Sequence, residues 1–85
     1  MPIISEFQGI RIYMYWDDHN PPHIHAEYDG KEVLKAFDGK VLSGKLPAKK
    51  DKLVDAWLIL REDEVKNSWE LAKDLKPLPK IAPLS

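Results

Sequence analysis

His19, His23 and His25 are all the histidines the chain has, and they fall in one run, Asp17-Asp18-His19-Asn20-Pro21-Pro22-His23-Ile24-His25-Ala26-Glu27-Tyr28. Imidazole changes charge near neutral pH, moves protons in either direction and, when neutral, ligates divalent metals. The cluster therefore opens three kinds of chemistry. As ligands, the three rings would hold zinc or another divalent metal with a fourth position left for water, and Asp17, Asp18 or Glu27 would orient them from behind. Without a metal, one ring acts as general base and another as general acid, as in phosphodiester cleavage of RNA, with Arg11 or a nearby lysine stabilising the developing negative charge. In the third arrangement the rings hydrogen-bond to backbone and carboxylates and stiffen a loop. The H-x3-H-x-H spacing does not choose among these. Three nitrogen ligands from one short segment demand a geometry that spacing alone does not supply, so no cofactor is required by the residues.

The elements that must position these side chains are legible around them. Pro21 and Pro22 fix φ and lack an amide hydrogen, so the lead-in to His23 is stiff and non-helical. In an extended segment His23, His25 and Glu27 line one face while Ile24, Ala26 and Tyr28 line the other. Upstream, Ile10–Trp16 alternates, with Ile10, Ile12, Met14 and Trp16 on one face and Arg11, Tyr13 and Tyr15 on the other. Phenol hydroxyls and a guanidinium suit phosphate and base contacts, which makes Arg11, Tyr13 and Tyr15 candidate substrate-binding residues. Strand aromatics also pack across strands, and that use competes. Ile3, Ile4 and Phe7 suit a short strand packed on the core.

Downstream, Asp29-Gly30 and Asp38-Gly39 are hairpin signals that divide residues 23–46 into three short strands, although the pattern does not fix their register. From Lys49 to Leu75 there is neither glycine nor proline. Leu53, Trp57 and Leu60, then Val65, Trp69 and Ala72, keep helical spacing in two offset stripes. These predict two helices broken around Arg61-Glu62-Asp63-Glu64, whose acidic residues suit the second helix's N-terminus. Pro77, Pro79 and Pro83 end regular structure and leave a tail carrying Leu78, Ile81 and Leu84. The expected architecture is a single α+β domain over residues 1–85: mainly strands in 1–46, helical in 47–75, proline-rich tail in 76–85. A small antiparallel sheet of three to five strands packs against two C-terminal helices.

Composition bounds the function classes. With 85 residues, 44% hydrophobic and 32% charged, the chain suits one modest core rather than disorder. The absence of cysteine removes disulfides and thiolate metal sites. No basic start leads into an apolar core and no apolar run reaches membrane-spanning length, so neither export nor insertion is expected and a cytoplasmic location is. The net charge of −1 is unevenly spread: residues 1–30 set five carboxylates against Arg11, while residues 31–52 set seven lysines against three carboxylates. That lysine-rich middle could meet phosphates, but lysines between turns are more often a solvated face, so charge alone does not predict nucleic-acid binding; RNA is a possible partner and DNA is not directly indicated. The exposed edges of a small sheet and the apolar tail favour a stable protein partner.

The opening Met1-Pro2-Ile3-Ile4-Ser5 with Phe7 and Gly9, Met14-Tyr15 ahead of Asp18-His19-Asn20-Pro21-Pro22-His23-Ile24-His25-Ala26-Glu27-Tyr28, the step Gly44-Lys45-Leu46-Pro47 and the helical segment from Trp57 to Trp69 together resemble a bacterial family, the domain of unknown function DUF4160. The resemblance covers nearly the whole chain, and the histidine-proline core is its specific part. It departs at Arg61, where the family pattern has a histidine. It implies a small stand-alone protein often encoded beside a DUF2442-type protein, an arrangement suggestive of a toxin–antitoxin pair with this chain as toxin. His19, His23 and His25 carry over as site residues without assigned roles. The expected function is thus a toxin of a bacterial type II pair, neutralised by the neighbouring protein, whose histidine-rich site acts on RNA if it is a histidine-dependent hydrolase or ribonuclease-like enzyme. The alternative is a non-catalytic interaction or regulatory module, or a small metal-binding protein.

Overall fold

Hairpin turns fold the first half of the chain into a meander. The computed structural model describes residues 2–84, so Met1 and Ser85, the ends of the expected domain, lie outside the described residues. Strands β1 (Ile3–Phe7), β2 (Ile10–Tyr13), β3 (His23–Tyr28), β4 (Lys31–Ala36) and β5 (Val41–Gly44) lie side by side in chain order, each antiparallel to the next. Gln8-Gly9 has φ of 51° and 78°, and Asp29-Gly30 has 49° and 78°. Two consecutive left-handed residues give a turn whose twist matches that of the strands it joins. The third turn is longer: the Asp38 carboxylate accepts the Lys40 N–H at 3.0 Å.

Two helices follow, α1 (Ala48–Leu60) and α2 (Glu62–Lys73), separated at Arg61. Pro47 precedes α1, where a missing N–H is harmless. Glu62, Asp63 and Glu64 open α2 and Lys73 closes it, each complementing the helix dipole. The expected α+β fold is the observed one, with five strands and two helices. Among the described residues no helix is long and apolar enough to cross a membrane.

Register decides what the core contains. Ile12, Ala26 and Val33 pair across β2, β3 and β4 on the inner face of the sheet. They bury against Val54 and Trp57 of α1 and Val65, Trp69 and Ala72 of α2. The register left open by the sequence puts Lys35 opposite Ile24, on this inner face. Lys35 is only 1% exposed, and its ammonium donates to Asp51 Oδ2 at 2.9 Å and to Asp55 Oδ1, both on α1. One lysine of the lysine-rich middle is therefore a tether between sheet and helix. Trp16 departs from its expected face too: β2 ends at Tyr13, and Trp16 is half-exposed, its indole N–H donating to the Lys76 carbonyl at 2.8 Å.

The proline-rich tail lies along the domain. Ile81 N–H donates to the Ile4 carbonyl at 2.7 Å, Trp57 Nε1–H to Ala82 at 3.0 Å and Arg61 Nη2 to Pro83 at 3.1 Å. Ile81 joins the core, with Leu78 and Leu84 packed against it. The apolar tail residues that suggested a partner are used by this chain's own core. At the other edge β5 is exposed at all four positions, held to β4 through Gly44. Gly44 has φ of 74°, and a Cβ there would run into the Glu32 carbonyl.

Candidate functional site

Alternation along β3 divides its side chains between two environments. Ile24 and Ala26 enter the core, while His25, opposite Tyr13 on β2 and Leu34 on β4, and His23, opposite Ala36, take the other face. That face is not left open at its upper end. The link from β2 to β3, residues 14–22, folds over it, anchored by the Asp17 N–H to Ala72 of α2 at 3.1 Å and by Trp16 to Lys76. Asp17 turns the chain with φ of 51°, and the Asn20-Pro21 peptide is cis. Asp18 thereby comes to lie over the two β3 histidines.

One carboxylate organises the cluster. Asp18 Oδ2 lies 3.0 Å from His23 Nε2 and 3.3 Å from His25 Nε2. Its other oxygen, Oδ1, accepts the His19 backbone N–H at 2.8 Å and approaches His19 Nδ1 to 2.9 Å. His23 Nδ1 donates to the Pro21 carbonyl at 2.7 Å, which leaves Nε2, the nitrogen nearer Asp18, as the one free to act as an acceptor when the ring is neutral. Tyr15 packs on His25 with ring centroids 4.2 Å apart, and Trp69 of α2 packs on His23 at 5.6 Å. The His23 side chain is 2% exposed, His25 9% and Asp18 12%, whereas His19 is 83% exposed. The cluster is thus a nearly dry centre with one solvent-facing ring.

Its polar groups are not all satisfied. His23 Nε2 and His25 Nδ1 are buried without a hydrogen-bond partner, although charged groups stand close to both. The close approach of His23 Nε2 to Asp18 Oδ2 is not a directed hydrogen bond, and Glu32 Oε2 stands 3.8 Å from His25 Nδ1. For Asp18, burial favours the neutral acid, but the His19 amide and the surrounding imidazoles outweigh it and hold the carboxyl below the usual carboxylate range. Burial, with the negative charges of Glu32 and Asp18, pushes the Tyr15 phenol up, so it stays a hydrogen-bond donor at neutral pH.

The candidates from sequence fall into separate groups. His23 and His25 meet at Asp18, and His19 reaches the same carboxylate from outside. Tyr13 is buried opposite His25, and Tyr15 covers it. Arg11 stands further along the face, exposed between Glu27 at 3.5 Å and Glu6 at 3.7 Å. Of the three carboxylates considered for orienting the rings, Asp18 does so, Glu27 pairs with Arg11, and Asp17 contributes its backbone to Ala72. Its central place was not legible, because it depends on the loop's anchorage to α2. Beside the cluster a groove is lined by Pro22, Phe37, Lys66, Asn67, Trp69 and Glu70.

Fold and cluster together define a small α+β protein built around a histidine–carboxylate centre at one end of a five-stranded meander. The chain belongs to the family described as Domain of unknown function (DUF4160), whose sequence model matches residues 9–70. The matched span holds every candidate site residue and stops short of the tail. No curated protein and no solved structure matches the chain.

Proposed function

We propose that this chain is the toxin of a bacterial toxin–antitoxin pair and that it works through the centre formed by Asp18, His19, His23 and His25, with RNA as the substrate class. The observation that carries the reading is the position of His19. Its ring is exposed, its Nδ1 is held 2.9 Å from a carboxylate oxygen, and its other nitrogen is left for an incoming substrate. An imidazole oriented by a carboxylate in this way is a proton-transfer group with its direction set in advance. Tyr15 supplies a protonated phenol behind the cluster. The groove beside it pairs an aromatic wall, Phe37 and Trp69, with Lys66 and Asn67, a combination suited to a stacked base and its phosphate.

Controlled expression in a bacterial host tests this reading. Wild type slows growth, the protein encoded alongside relieves the effect, and His19→Ala and His23→Ala/His25→Ala abolish it while circular dichroism stays native. Harmless wild type at high expression would remove the toxin role. A second reading, a non-catalytic interaction module located in the cytoplasm, is favoured by β5, whose edge and exposed Val41 and Leu42 offer a strand-pairing surface. Growth inhibition that survives all the histidine substitutions but is lost on a Val41→Lys change would select it.

A further inference from the structure

The unpartnered nitrogen of His23 calls for an occupant. It is buried, and its ring is turned so that its Nδ1–H is committed to the Pro21 carbonyl. Fixing one imidazole nitrogen on a backbone carbonyl is how a protein presents the other as a lone pair to a metal. His25 repeats the arrangement more loosely, with Nε2 toward Asp18 and Nδ1 toward Glu32 at 3.8 Å.

From this geometry we infer that Asp18 Oδ2, His23 Nε2 and His25 Nε2 bind one divalent transition-metal ion. Asp18, His23 and His25 each offer a ligand atom within 4.8 Å of the others, and Asp18 Oδ2 is 3.0 and 3.3 Å from the two Nε2 nitrogens. Ligands about 2.0–2.1 Å from a common zinc ion stand roughly 2.8–3.0 Å apart in octahedral and about 3.3–3.4 Å apart in tetrahedral arrangement, so two of the three edges already fall in the required range. Two imidazoles and one carboxylate suit zinc or iron(II) and disfavour magnesium and calcium, which prefer oxygen. The set differs from the three-histidine set that the sequence suggests: His19 points its ring to solvent and stays outside it. Neutralising Asp18 by a cation would also satisfy the His23 nitrogen that is otherwise orphaned.

The inference rests on reading this cluster as the working centre, but binding is measured without any activity, so its failure and that of the toxin reading are separable. Untagged protein is stripped with chelator and titrated calorimetrically with zinc, and separately with cobalt(II), whose visible absorption reports nitrogen and oxygen coordination in the intact wild type. Expected are one ion per chain, a cobalt spectrum of low coordination number, and affinity losses beyond the ~10–100-fold of outer-sphere changes for Asp18→Asn, His23→Gln and His25→Gln. Asp63→Asn, on the exposed start of α2, binds as wild type, and His19→Gln, which removes a ring held against the other oxygen of Asp18, loses no more than that ~10–100-fold. Absence of stoichiometric binding by wild type would overturn the site. Loss of binding in His19→Gln would overturn the ligand set.

Discussion

Two buried polar clusters sit on opposite faces of the same sheet, and they are resolved in opposite ways. On the inner face Lys35 is enclosed by apolar neighbours, yet its ammonium has two aspartates of α1 as partners. On the outer face His23 and His25 converge on Asp18 and leave buried nitrogens without partners. A completed ion pair fixes the position of a helix. An incomplete one holds a place for something else, because a buried unsatisfied polar group is costly enough to need a reason. The contrast separates a structural tether from a candidate working centre without appeal to either one's position in the sequence.

The sharpest way to break this comparison is at the tether. Replacing both aspartates, Asp51→Asn/Asp55→Asn, leaves a buried ammonium with no counter-charge and should destabilise the fold by ~3–5 kcal/mol in denaturant titration. A loss under ~1 kcal/mol would show that Lys35 reaches water and is no tether. Asp18→Asn should behave in the opposite manner: stability within about 1–2 kcal/mol of wild type, because the amide oxygen still accepts the His19 N–H, but growth inhibition lost. Lys35→Met, which removes the charge and keeps the length, should fall within ~1 kcal/mol at neutral pH, since Asp51 and Asp55 can turn to solvent.

The pH dependence of that last pair sharpens the contrast further. Burial pulls the Lys35 pKa down, but the bonds from Asp55 and Asp51 outweigh it and hold the ammonium above the ordinary lysine range. A raised folded-state pKa contributes stability that is complete below the unfolded lysine value and is lost as pH rises through the folded one. The gap between wild type and Lys35→Met should therefore be level through neutral pH and shift against wild type in strongly alkaline solution. A gap that moves instead between pH 5 and 8, the histidine range, would place the coupling elsewhere. The smallest effect is expected at Arg11, exposed beside Glu6 and Glu27, where Arg11→Ala should leave the unfolding midpoint unchanged. Any loss of growth inhibition there would then report substrate contact.

Local patterns in the chain announced most of the fold and half of the cluster. Asp29-Gly30 marks its turn because only a residue tolerant of positive φ fits there, and the stripes through Trp57 and Trp69 mark two helices because one straight helix would point them apart. His23 and His25 were readable as a same-face pair because strand alternation is a local property. Lys35 was not, because its face depends on which residue of β3 it pairs with, and the apolar residues of β4 do not alternate. Asp18 as the organising carboxylate was hidden for a related reason: nothing in residues 14–22 states that Asp17 will hydrogen-bond to Ala72, more than fifty positions away. The tail was equally opaque, its place being set by the backbone of Ile4 and the indole of Trp57.

The docking of residues 14–22 on the end of α2 also bears on the order in which the molecule assembles. In a meander every strand pairs with its sequence neighbour, so the sheet is made of short loop closures, which form fast. His23 and His25 belong to that early layer. Asp18 does not, since its position waits on α2 being folded and seated, the last long-range closure before the tail. The expected consequence is a sheet whose amides gain protection from hydrogen exchange before the cluster exists, and a carboxylate that meets its histidines only in the finished molecule. Pulse-labelled exchange that found the Asp17 amide protected as early as those of β3 would reverse that order. If the chain is the proposed toxin, it would by this sequence of events remain inert throughout its own folding.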